Sequence, residues 1–156
     1  MQTHTPNQAR IDDAIAYLVQ QYRADIVFTR TKLMKLLYLA DKQYHQDNHG
    51  TITGVAWSKY HYGPYSDTVV DRSKALNGDR IHIDAYQHDE TGTQYHHRPC
   101  SRKPPSTDAL TSDMIECLNA VLTEHALRDT TDIVEDIVAT PLVANTAKYG
   151  IIPLKE

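Results

Sequence analysis

The sequence predicts a mainly α (α+β) fold, a compact helical domain around a central helix near residues 30–47 with a small β-hairpin near residues 80–98. Three observations lead there. Apolar residues recur at steps of three and four through several segments. One of these stripes is wide enough to be touched on more than one side, and one later stretch alternates as paired strands do.

The first helix is predicted after Asn7, a residue able to accept a backbone N–H bond as a cap, with Ile11, Ala14, Ile15, Leu18, Val19 and Tyr22 on one face. The central helix carries Leu33, Leu36, Leu37, Ala40 and Tyr44, and Met34, Tyr38 and Leu39 widen the stripe. Asn48 and Gly50 end it. The stretch TITGVAWSKYHYGPYS is rich in β-branched and aromatic residues and broken by Gly54, Gly63 and Pro64, so it should be extended and turning. Ser66 caps a short helix with Val69, Val70 and Leu76, stopped at Asn77-Gly78.

In RIHIDAY, Ile81, Ile83 and Ala85 alternate inward, and QYHHR is expected to pair back on it after the turn-like DETGT. A Pro-rich loop near 98–107 leads to the last third. There Ile115, Leu118, Val121 and Leu122 mark one helix, and Ile133, Val134, Ile137 and Val138 another, capped near Thr130 and broken at Thr140-Pro141. The tail reads as irregular.

With 156 residues, 40% of them hydrophobic and 23% charged, the chain is expected to form one domain over 1–156 with its own core. A net charge of −4 gives no excess for gripping a phosphate backbone, so nucleic acid is an unfavoured partner. Two distant cysteines, Cys100 and Cys117, point to a reducing cytosol, and no apolar run long enough for a leader or a membrane span is visible, so a cytoplasmic location is expected.

Chemistry-bearing motifs are sparse. The glycines form neither GxGxxG nor GxxxxGK[ST], no serine sits in a GxSxG elbow, and neither cysteine has a catalytic context. No enzyme and no cofactor is therefore expected. Asp41, His45 and His49 recur every four residues and would share a helix face able to meet a metal, but HQDNH lacks the glutamate of HExxH. A metal-dependent hydrolase is the weaker alternative, and a solvated polar face the stronger one. Trp57, Tyr60, Tyr62 and Tyr65 are residue types enriched at protein interfaces, and they are equally suited to packing the turn against the central helix. Lys32 and Lys35 are three apart on that helix; one would reach a partner carboxylate or both would face solvent.

Taken together, KLMKLLYLAD, a Gly-containing turn and VAWSKYHYGPYSDTVVD resemble the Panacea domain of SocA-like antitoxins. The resemblance runs from about Ile11 to Leu154 and is densest in the middle third. Lys32, Leu33, Lys35, Leu36, Leu37 and Tyr38 match its helix motif, and Trp57, Tyr62, Gly63, Pro64 and Tyr65 match its aromatic and Tyr-Gly-Pro block. Met34 stands where a polar residue is common, and Leu142 where another proline would follow Thr140-Pro141. The resemblance implies an antitoxin of a bacterial or phage toxin–antitoxin system that neutralises a cognate protein toxin by direct complex formation. It also implies, as an alternative, a proteolytic adaptor that delivers a partner to a bacterial protease. Lys32, Lys35, Trp57, Tyr60, Tyr62 and Tyr65 are the candidate partner contacts, with Leu33, Leu36, Leu37, Tyr38, Gly63 and Pro64 as framework.

Overall fold

The computed structural model describes residues 4–22, 27–48, 50–88, 92–100 and 106–154. Among them are six helices and two small antiparallel hairpins. Helix α1 (Gln8–Gln21) starts at Asn7, whose side chain accepts from the Arg10 N–H, and it buries Ile11, Ala14, Ile15, Leu18 and Val19. Helix α2 (Arg30–Asp47) is capped by Thr29 through the Lys32 N–H, and Asn48 closes it. Between Lys32 and Asp41 only Leu39 is not buried, which is the many-sided packing that its wide apolar stripe requires.

The aromatic stretch forms strands β1 (Ser58–Tyr60) and β2 (Gly63–Tyr65), antiparallel with Tyr60 opposite Gly63. Ser66 accepts from the Val69 N–H and starts helix α3 (Asp67–Leu76). Strands β3 (Ile81–His88) and β4 (Gly92–Pro99) form the second hairpin. It is held at its base, where Ile81 is buried, the His97 N–H donates to the Phe28 carbonyl at 2.8 Å and Thr29 bridges His96. Further along β3 the expected inward alternation stops: Ala85 is exposed, as are the strand residues after it up to His88. The turn at 89–91 and most of the Pro-rich loop, 101–105, lie outside the described residues, and β4 already extends through Arg98 and Pro99.

Helix α4 (Ser112–His125) lies along α2, and helix α5 (Thr130–Ala139) contacts α2 and β2. Pro141 does end α5, but it also occupies the first turn of a short helix α6 (Pro141–Ala144), where its missing N–H costs nothing. The tail is less irregular than its composition suggests. Its backbone returns to β1 through Tyr149 N–H to Lys59 O at 2.7 Å, Lys59 N–H to Gly150 O at 2.9 Å and Ile152 N–H to Trp57 O at 2.7 Å. That pairing buries Ile152 and Leu154. No helix among the described residues is long and apolar enough to cross a membrane.

Candidate functional site

Three polar side chains of α2 are buried, and each fastens the helix to a different segment. Lys32 is fully buried; its ammonium donates to the Tyr22 hydroxyl oxygen at 2.9 Å, to Ala126 O at 2.7 Å and to Arg128 O at 2.8 Å. The last two are carbonyls at and just beyond the end of α4, where helix ends lack internal donors and carry partial negative charge. Burial lowers the Lys32 pKa, and nearby Asp129 opposes that shift. Lys35, also buried, donates to Pro64 O at 2.8 Å; burial brings its pKa down to about 7. These placements correct the sequence expectation. Neither lysine faces solvent: Lys32 Nζ is held by one hydroxyl and two backbone carbonyls, and Lys35 Nζ is held by one carbonyl.

Asp41 is the third fastening. Its carboxylate is fully buried and accepts from the Ile52 N–H at 3.0 Å, the Thr53 N–H at 3.1 Å, the Thr53 hydroxyl and the Trp57 indole N–H at 2.9 Å. Burial pushes its pKa up to about 6, while the four donors pull the other way. The expected shared face of Asp41, His45 and His49 is corrected by this inward orientation. Asp41 is turned into the core, His45 Nδ1 lies 2.9 Å from Gly50 O, and His49 lies outside the described residues. Among the described residues no group of three or more His, Cys, Asp or Glu is placed to hold a metal.

The aromatic block divides in two. Trp57 is in the core, edge-on to Tyr38 with ring centres 5.8 Å apart, so its role as a partner contact gives way to packing. Leu33, Leu36, Leu37 and Tyr38 are likewise core, and Gly63 and Pro64 are buried at the turn. Gly63 has φ +89°, and a side chain there would meet Val138 Cγ1 at 3.3 Å. Tyr62 is 65% exposed at the turn, whereas Tyr60 and Tyr65 are half-buried. Tyr60 stacks on Tyr65 at 4.4 Å and meets Tyr149 edge-on at 5.3 Å.

Tyr149 is exposed and enlarges that stack, and Ile151, two residues on, is exposed as well; sequence reasoning missed both. The β-branched and aromatic residues Tyr149, Ile151 and Ile152 are the signal that could have suggested an extended, paired segment. Arg30, also missed, lies at the first position of α2 with its guanidinium 3.8 Å from the centre of the Tyr95 ring. Between α2 and the β1–β2 hairpin is a cavity of about 150 Å³, lined by Arg30, Thr31, Met34, Lys35 and residues 60–63 and 65.

The family model described as antitoxin SocA-like, Panacea domain, matches residues 33–138. These residues run from the second residue of the KLMKLLY motif to the last turn of α5 and include both hairpins. No curated protein and no solved structure matched the chain.

Proposed function

The chain belongs to the SocA-like antitoxin family, through its Panacea domain, and from that premise we propose that it neutralises a cognate protein toxin of a bacterial or phage toxin–antitoxin system. It does so in the cytoplasm, by direct binding and without catalysing a reaction. The observation that carries this reading is the tyrosine surface at the β1–β2 hairpin. Tyr60, Tyr62, Tyr65 and Tyr149 present rings with an apolar body and a polar tip, the composition of protein-binding hot spots.

The buried fastenings beneath give this surface a fixed geometry. Lys35 holds the hairpin at Pro64, and the tail pairs with β1 on its other edge. A surface organised before contact loses less conformational freedom on binding. Co-expression with the products of the adjacent genes tests the proposal. Restored growth together with a co-purifying toxic neighbour is the expected result. A neighbour that remains toxic and never co-purifies would overturn it.

A further inference from the structure

Arg30, Thr31, Met34 and Lys35 occupy one face of α2, so the helix sets two cationic side chains on the same small cavity under the hairpin. We infer that this cavity receives one acidic side chain, Asp or Glu, presented by the bound toxin, with Arg30 and Lys35 holding its carboxylate and the hairpin tyrosines closing around its stem. The identity of the occupant rests on the antitoxin reading.

Charge and size together select that occupant. Among the described residues no carboxylate lines the cavity, although the chain is acidic overall. Asp67 acts on the Tyr65 hydroxyl in opposition to Arg30. The Arg30 Nε is buried and has no hydrogen-bond partner among the described residues, while the Tyr95 ring fixes the guanidinium plane. Arg30 itself lines the cavity, and a carboxylate there would meet, with a charge-assisted bond, a guanidinium that has no acidic partner among the described residues. Lys35 spends one donor on Pro64 O and, when protonated, has two more. Burial alone brings its pKa to about 7, and an adjacent carboxylate would restore its charge. A volume of about 150 Å³ falls below the range of roughly 300–1,000 Å³ usual for small-molecule pockets but suits one inserted side chain.

The purified full-length chain, labelled with ¹⁵N, would be titrated with three probes: N-acetylglutamate amide, its neutral glutamine counterpart and inorganic phosphate. The expected result is saturable shifts of amides in residues 30–35 and 60–65 with the glutamate probe alone, weakened at least tenfold by Arg30→Gln. Four results would overturn the inference: no saturable shift, an equal response to glutamine, a response to phosphate but not glutamate, or unchanged affinity in Arg30→Gln. The probe comparison on the unaltered chain stands even if that variant folds poorly. Co-purification of the toxin with Arg30→Glu forms a separate arm, expected to fall at least tenfold, and retention would overturn the toxin as source. If the unaltered chain neutralises no neighbour, the antitoxin reading fails, whereas the titration still decides whether the cavity takes a carboxylate.

Discussion

Trp57 and Asp41 are joined by a 2.9 Å hydrogen bond from the indole N–H to a carboxylate oxygen that solvent does not reach. The bond ties the entry of the β1–β2 hairpin to the middle of α2. With the bonds from Ile52 and Thr53, it makes Asp41 the anchor of the whole 52–57 segment. Asp41→Ala would leave several buried donors unsatisfied and is expected to cost about 3–5 kcal/mol. Urea denaturation measures this; a loss under 1 kcal/mol, roughly the effect of an ordinary substitution, would refute the anchoring role.

Lys32 plays the corresponding part at the end of α4. Lys32→Met keeps much of the aliphatic stem but removes the donor from Ala126 O and Arg128 O. A destabilisation of about 2–4 kcal/mol is expected, together with faster amide exchange in the last turn of α4. Unchanged exchange there would show that water replaces the ammonium at little cost.

Lys35 makes stability depend on pH with a defined sign. In the folded chain its pKa is lowered to about 7, whereas the ordinary value is 10.5. Across that window the unfolded chain binds the extra proton, so this group's contribution to stability increases as pH rises from 7 toward 10.5. Lys35→Met removes that contribution. Between pH 7 and 9 the denaturation midpoint of the unaltered chain is expected to gain on that of the variant, and parallel curves would contradict the assignment.

Gly63 is required by both conformation and space. Its φ of +89° is unfavourable for other residues, and an added Cβ would press on Val138. Gly63→Ala is expected to destabilise by about 1–3 kcal/mol. Thermal or urea denaturation checks this, and a neutral outcome would mean that β2 and α5 part easily.

Much of this architecture is legible in the sequence because helix periodicity and caps are local signals. Asn7, Ser66 and Asn77 sit at the ends their chemistry suggests, and the apolar faces of α1 and α4 follow from spacing. The buried polar residues are not legible in the same way. A lysine or aspartate on a helix reads as solvated until its acceptors or donors, 94 residues away for Lys32 and Ala126, are brought to it by the fold. The same limit applies to the candidate site. Tyr60, Tyr62 and Tyr65 stand out through composition, but Tyr149 joins them only because the tail folds back onto β1, and Arg30 only because β4 supplies Tyr95.

The central claim is that the tyrosines of the hairpin bind the toxin, and Tyr62 tests it most directly because it is 65% exposed and makes none of the buried fastenings. Tyr62→Ala is expected to change stability by no more than about 0.5 kcal/mol. The decisive measurement is the affinity of the purified toxin for the unaltered chain and for this variant. The predicted result is at least a tenfold loss, about 1.4 kcal/mol, in a variant that remains folded. Unchanged affinity in a folded Tyr62→Ala protein would place toxin binding elsewhere on the molecule.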